Sequence, residues 1–334
     1  MKIGIAFFAL LLTLAANVGH SFAQGADLKA VYYKDGDLFT IGVDGEPRQL
    51  THDGIPKGPL VWSRDGTKIA FLRKIDHAVA IDNLVVIDSE TGRTLSDILI
   101  GPVSSGEAYP FDYIERIQWL TADTIAAAGN VNPSSDDTLV FDTKTGEELT
   151  DYLDDTGGPV FSPDGEHAAV EGGMPHWTPL YGREPELDID YRRVYPAKGV
   201  KVTLLTTPAW SEDSKEVAVA AEDNRSKRAS IVVCGLQGAC ESTALPAGKW
   251  DPDENYQIQW NGGRVYLTAP EGTWSSQRGD STAAASSPPP DLKAAATGLT
   301  TGLREQIQKL GGKGPDFWCA DCALAKLPRE APEN

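Results

Sequence analysis

Histidine is scarce in this sequence, and the usual catalytic signatures are missing. The 334 residues include five histidines, and none of His52, His77, His167 and His176 is spaced three to five residues from another. The chain also lacks H-E-x-x-H, G-x-S-x-G, G-x-G-x-x-G and P-loop motifs. The local patterns of zinc hydrolases, serine hydrolases and nucleotide-binding enzymes are therefore absent. We predict no catalytic residue, no metal ligand and no cofactor, and the sequence favours a non-enzymatic role.

Basic residues and long apolar runs are also in short supply. Lysine and arginine number 30 against 48 acidic residues, so the formal net charge is −18. Binding to nucleic acid or to an anionic membrane surface needs clustered cations, which this balance does not provide. Beyond the N-terminus no apolar stretch approaches the roughly 20 residues that a membrane span needs. We predict no nucleic-acid partner, and no transmembrane anchor once the apolar N-terminal segment described below is removed.

The N-terminus has the features of an export signal. Lys2 supplies a positive charge, residues 3–18 form an apolar core, and Ser21 and Ala23 provide the small residues of a cleavage site. We predict a signal peptide over residues 1–23, with cleavage after Ala23. The mature protein is then periplasmic or secreted.

Four cysteines fit an exported chain held by disulfides. Cys234 and Cys240 stand in "CGLQGAC", and Cys319 and Cys322 stand in "CADC". Four cysteines can be joined in three ways, and we favour the one with two local disulfides, Cys234–Cys240 and Cys319–Cys322. A redox-active C-x-x-C and a zinc site made of all four cysteines stay open as alternatives.

A repeated unit runs along the chain. Segments such as "LVWSRDGTKIAFL", "PVFSPDGEHAAVE" and "PAWSEDSKEVAVA" each read as an apolar run, a turn and an alternating strand. A second hairpin follows, as in "NLVVIDSETGRTLSDIL" and "TLVFDTKTGEELTDYL". Four strands in about 40 to 55 residues is the period of a propeller blade. The units begin at five aromatic residues: Trp62, Trp119, Phe161, Trp210 and Trp260.

The predicted fold is all-β, a β-propeller of six blades with four antiparallel strands each and an incomplete first blade. Five or seven blades stay open. We place the propeller at 24–274, a low-complexity, disordered insertion with a short helix at 275–312, a last-blade hairpin with the C-x-x-C at 313–328, and a tail at 329–334.

The repeat resembles that of TolB-type β-propellers, the WD40-like Pro-Asp repeat. Residues 45–73 carry the resemblance with "GEPRQLTHDG" and "PLVWSRDGTKIAFLR", and "FSPDGEHAAV" at 161–170 is the closest match to the repeat. The resemblance implies propeller architecture. It implies no particular activity, because the family includes both periplasmic translocation proteins and propellers attached to serine peptidases.

The segments that break the repeat are the candidate binding sites. Residues 172–199 form a long insertion rich in arginine and aromatic residues, which are enriched at binding hot spots. The alternative is that its aromatic residues cover a blade edge. Acidic clusters, including "DPDEN" at 251–255, read as solvated turns, with Ca²⁺ binding as the alternative. The predicted binding residues are Trp177, Tyr181, Arg183, Arg192 and Arg193.

These observations predict an exported, non-enzymatic binding or scaffold protein. Its partner is a protein or peptide of the cell envelope. The alternative is a propeller hydrolase or lyase that acts on a glycan or lactone in the axial channel.

Overall fold

The structure is a computed structural model of the 334-residue chain. It describes residues 27–43, 45–76, 81–100, 113–132, 135–154, 158–172, 186–189, 192–196, 200–248, 250–251, 254–320 and 322. Within these residues there is one helix, α1, which spans Leu292–Lys309. The strands are β1 Lys29–Lys34, β2 Asp37–Gly42, β3 Arg48–Gln49, β4 Lys57–Trp62, β5 Lys68–Asp76, β6 Ile81–Asp88, β7 Thr94–Ile100, β8 Tyr113–Trp119, β9 Thr124–Asn132, β10 Ser135–Asp142, β11 Glu148–Asp154, β12 Val160–Phe161, β13 Ala168–Gly172, β14 Glu186–Ile189, β15 Arg192–Tyr195, β16 Val202–Leu204, β17 Ala209–Trp210, β18 Glu216–Asp223, β19 Arg228–Gly235, β20 Cys240–Ala244, β21 Gln257–Asn261, β22 Arg264–Ala269, β23 Gly272–Ser276, β24 Ala284–Ser286 and β25 Lys313–Trp318.

The strands form six antiparallel sheets in the described part of the chain, which confirms the β-propeller class. We number the sheets as blades 1 to 6. Blade 1 has the strand order β25-β1-β2-β3, and blades 2, 3, 4 and 6 are the meanders β4–β7, β8–β11, β12–β15 and β21–β24. Blade 5 has the order β16-β18-β19-β20, and β17 also pairs with β18.

Blade 1 differs from the prediction, because it is complete. Residues 313–318 form β25, which pairs with β1 through Lys29–Trp318 and Ala30–Phe317 rather than joining the last blade. The first and last of the described strands thus share one sheet, which removes two free strand edges. The sequence carries a signal for this: "KGPDFW" at 313–318 nearly repeats "KGPLVW" at 57–62, the first strand of blade 2.

Neighbouring blades pack face to face through buried apolar clusters. Clusters join blades 1 and 2, 2 and 3, 3 and 4, 4 and 5, and 5 and 6. Strands buried on both faces read as continuous apolar runs, such as "KIAFL" and "NLVVI". Blade 6 instead alternates, as in "RVYLTA", and buries only one face. Among the described residues no buried cluster joins blade 6 to blade 1.

The repeated aromatic residues lie between blades. The indole N–H of Trp119 donates to the carbonyl of Val61, which precedes the matching aromatic of the blade before it. Trp260 donates to Ala209 in the same way at 2.9 Å. Trp318 is the sixth member of the series and packs 6.2 Å from Trp62, ring centre to ring centre. The repeat therefore recurs because each blade must meet the next.

The Ser-x-Asp turns are structural. The hydroxyl of Ser63 donates to Asp65 at 2.7 Å and accepts the backbone N–H of Lys68 at 2.9 Å. Burial raises the pKa of Asp65, but hydrogen bonds from Ser63 and Thr67 outweigh it and leave that pKa below its ordinary value. The same bond recurs between Ser162 and Asp164, and between Ser211 and Asp213.

The predicted insertion at 275–312 contains regular structure. β23 continues to Ser276, β24 completes blade 6, and α1, with 18 residues, is longer than the short helix predicted for this segment. Asp291 caps α1 by accepting the N–H of Ala294. Leu303 and Ile307 pack on the outer face of blade 1 against residues such as Tyr32 and Phe317. The helix thus covers the face of blade 1 against which no described residue of another blade forms a buried cluster.

Candidate functional site

The predicted binding residues are only partly described by the structure. Trp177, Tyr181 and Arg183 lie outside the described residues. Arg192 and Arg193 belong to β15, the outer strand of blade 4, and Arg193 is exposed. Part of the predicted insertion at 172–199 is therefore blade, because β14 and β15 pair there. The five residues as one binding site stay a prediction.

The cysteines form the two local pairs that were favoured. Cys234 and Cys240 face each other across β19 and β20, and Cys319 pairs with Cys322 after β25. The first pair belongs to the core between blades 4 and 5, whereas the second packs beneath α1. Cys319 is 0% exposed and Cys322 is 3% exposed, so the C-x-x-C pair is enclosed by protein.

A cleft opens where blade 5 meets the linker to blade 6. It has a volume of ≈ 420 Å³ and is lined by Thr203, Leu205, Glu222, Lys227, Gly248, Trp250 and Asp251. In a four-strand meander, the turn between the second and third strands lies at the same end as the linker to the next blade. The cleft therefore lies at the end of blade 5 formed by turn 224–227 and the described linker residues 245–248, 250–251 and 254–256, which we call the linker face.

The turn that borders the cleft is held by Asp223. Its carboxylate accepts the backbone N–H groups of Arg225 at 3.0 Å and Ser226 at 2.6 Å, and its carbonyl accepts the N–H of Lys227. The hydrogen bond from Ser226 is the main reason why the pKa of Asp223 lies below its ordinary value. Lys227 has a positive φ of 56°, which closes the turn.

The floor of the cleft is apolar and rigid. Trp250 is 8% exposed and packs against Tyr256 and Trp274, with ring centres 5.5 and 5.4 Å apart. The hydroxyl of Tyr256 accepts the backbone N–H of Asp251 at 3.0 Å and donates to Glu254. Burial is the first cause of the raised pKa of Tyr256. These contacts fix the linker against the core of blades 5 and 6.

The rim of the cleft is polar. Glu222 accepts a hydrogen bond from the ammonium of Lys227 at 2.9 Å. The Glu222 side chain is 12% exposed, whereas that of Lys227 is 68% exposed. Thr203 donates to the side-chain oxygen of Asn224 at 2.8 Å. An apolar floor with a few convergent polar groups is the usual composition of a binding pocket.

The sequence did not point to this cleft. Trp250 stands ten positions before the repeat aromatic Trp260 and so falls outside the repeat pattern, while Asp251 was read as part of a solvated turn. The available signal for the cleft was that Trp250 is a tryptophan out of phase with the repeat.

Within the described ranges, no group of three or more His, Cys, Asp or Glu side chains is placed to hold a metal ion. Nor does any described helix have the length and apolar character to cross a membrane.

Comparisons with known proteins bear on the fold. No protein-family model matches the chain, and no curated protein does either. A crystal structure of the eukaryotic initiation factor is 14% identical, with a TM-score of 0.50, over 78% of this chain and 62% of that one. This chain thus spans less than two thirds of the initiation factor.

Two further solved structures are more distant. The β-propeller domain of the Trilobed protease from Pyrococcus furiosus is 14% identical over 79% of this chain and 81% of that one, with a TM-score of 0.43. TolB from Acinetobacter baumannii is 14% identical over 77% of this chain and 65% of that one, with a TM-score of 0.30. At these scores neither likeness bears on function. With the six antiparallel sheets of the described residues, the likeness to solved structures shows that the chain has a β-propeller fold.

Proposed function

We propose that this protein is an exported, non-enzymatic binding protein that recognises a protein or peptide partner of the cell envelope. The partner's chain lies on the linker face and inserts a side chain into the cleft beside Trp250. The observation that carries the proposal is the cleft itself, in which an aromatic floor and a polar rim meet on a rigid scaffold.

The size and construction of the cleft favour a piece of a larger partner. Its volume of ≈ 420 Å³ falls in the range of about 300–1,000 Å³ typical of ligand pockets. Its walls come from a turn and a linker, which are the elements that carry recognition on rigid scaffolds. The floor is anchored by the aromatic contacts of Trp250, so binding orders few groups.

Two features of the chain agree with export, and its net charge bears on the kind of partner. The signal sequence at 1–23 predicts it, although those residues lie outside the described part. Two cysteine pairs at disulfide distance suit an oxidising compartment. The net charge of −18 suits a protein partner better than a nucleic acid.

Gly248 provides the test, because it lines the cleft and accepts a side chain. A Cβ there would meet Trp250 and Pro246 at ordinary distances of 3.9 and 4.0 Å, and its φ is not positive. Gly248→Phe should therefore fill the cleft without disturbing the fold. Gly302→Phe is the matched control, because Gly302 is exposed on α1 with nothing within 4 Å of its Cβ.

The experiment begins by purifying the tagged mature protein from envelope extract and identifying the proteins that bind. The affinity of the purified partner is then measured by calorimetry. Gly248→Phe should weaken binding at least about tenfold, while Gly302→Phe binds as wild type and both variants melt as wild type does. Wild-type affinity in Gly248→Phe would refute the role of the cleft.

A further inference from the structure

We infer that the cleft selects a cationic side chain, arginine or lysine, and that Lys227 occupies the position of that cation in the free protein. This rests on the proposed function and adds the chemistry that the cleft recognises. The inference starts from the ion pair between Glu222 and Lys227, whose two members are very unequally buried.

Glu222 is held in place by its strand and has little access to water. Its backbone in β18 pairs with β16 on one side and β19 on the other. The side chain is 12% exposed, so its carboxylate has lost most of its hydration and needs a cation nearby. The structure supplies that cation from Lys227, five residues along the chain, at 2.9 Å.

Lys227, by contrast, is easily replaced. Its side chain is 68% exposed on a flexible stem, so its ammonium can return to water at little cost. Holding this long side chain in one geometry also costs conformational entropy, which offsets part of the attraction between the two charges. A guanidinium or ammonium from a partner can therefore take its place beside Glu222 without leaving any buried charge unpaired.

The rest of the lining suits a cation as well. Asp251 adds a second carboxylate, so the described residues of the lining include two acidic groups and one basic group. Trp250 and Leu205 supply apolar surface for the methylene stem of a long basic side chain. An anion would meet two carboxylates, and a neutral side chain would not replace Lys227. The net charge of −18 also draws cationic segments toward the protein.

The inference can be tested with small probes that differ in charge and little else. Full-length mature protein labelled with ¹⁵N is titrated with N-acetyl-arginine methylamide and with the citrulline analogue, which has a similar shape and no charge. The reporters are the backbone amides of Gly248 and Asp251. The arginine probe should shift both signals and bind at least about tenfold more tightly than the citrulline probe.

Three variants identify the groups responsible. Glu222→Gln should remove the preference for arginine over citrulline. Lys227→Met should tighten arginine binding severalfold, because it removes the competing ammonium. Glu241→Gln is the control: Glu241 lies in the same blade, is exposed, and pairs with Arg278 at 2.8 Å outside the cleft lining. It should bind the arginine probe as wild type does.

The outcomes separate this inference from the proposed function. Equal binding of the two probes, an unchanged preference in Glu222→Gln, or weaker arginine binding in Lys227→Met would each overturn cation selection. If neither probe shifts Gly248, cation selection is also wrong. The proposed function depends instead on Gly248→Phe and the intact partner, so it can survive any of these results.

Discussion

Substitution of Gly165 by alanine should destabilise the protein through the contact between blades 3 and 4. Gly165 closes the Ser-x-Asp turn of blade 4 with a φ of +76°, and a Cβ there would lie 2.1 Å from the carbonyl oxygen of Leu120, the residue that follows β8. Because that oxygen belongs to the backbone, the overlap can be relieved only by moving one blade relative to the other.

The magnitude has two parts. A left-handed conformation costs a residue with a Cβ about 1–2 kcal/mol, and overpacking a well-packed contact typically costs about 1–3 kcal/mol more. We expect Gly165→Ala to lower the free energy of unfolding by roughly 2–5 kcal/mol, the sum of these two effects.

Gly263→Ala separates the two parts. Gly263 has a similar φ of +74°, but nothing lies within 4 Å of its Cβ. This variant should lose only the conformational part. The assay is urea unfolding at 25 °C, with equal m-values showing that the compactness of the states is unchanged. If Gly165→Ala is no less stable than Gly263→Ala, the close approach between blades does not constrain this glycine.

Three further results are expected. Leu303→Ala should lower the free energy of unfolding, measured with urea, by about 2–5 kcal/mol. The reason is that Leu303 is buried where α1 covers blade 1. The hydrogen bond from Ser211 lowers the pKa of Asp213, so this carboxylate stabilises the fold above its unfolded pKa of about 3.9. That contribution is lost as the pH falls through the lower pKa of the folded protein. The free energy of unfolding, measured with urea from pH 7 to pH 3, should therefore decline, and it should decline less in Asp213→Asn. Thiol titration of native protein should find no free cysteine, and Cys319 should react after reduction only in denaturant, because it is 0% exposed.

Each of these has a control or a contrary result. Glu305→Ala, on the exposed side of α1, should change stability by less than about 0.5 kcal/mol. If Leu303→Ala matches it, α1 does not stabilise blade 1. An identical acid decline in Asp213→Asn would show that this turn does not contribute to the pH dependence. Rapid labelling of Cys319 in native, reduced protein would mean that the C-x-x-C pair is accessible and would restore the redox alternative.

Features that depend on neighbouring residues were predictable from the sequence. The Ser63–Asp65 turn is made by atoms two residues apart, and Cys234 and Cys240 meet across one hairpin. The position of Trp318 was predictable in principle, because "KGPDFW" repeats "KGPLVW". The cleft was not, because Thr203, Glu222 and Trp250 meet only through strand pairing and the path of a linker.

The sequence by itself determined the blade, because the aromatic, the turn and the two hairpins of each unit are specified by short-range hydrogen bonds and by the alternation of apolar residues. The tertiary structure decided how the blades join. Pairing of β25 with β1, almost 300 residues apart, and the packing of α1 on blade 1 depend on where the chain ends meet after the other blades have stacked. The repeat of "KGPLVW" in "KGPDFW" marks residues 313–318 as the kind of strand that begins a blade, but it does not say which sheet that strand joins. A strand edge can pair with any complementary edge that the stacked blades bring to it.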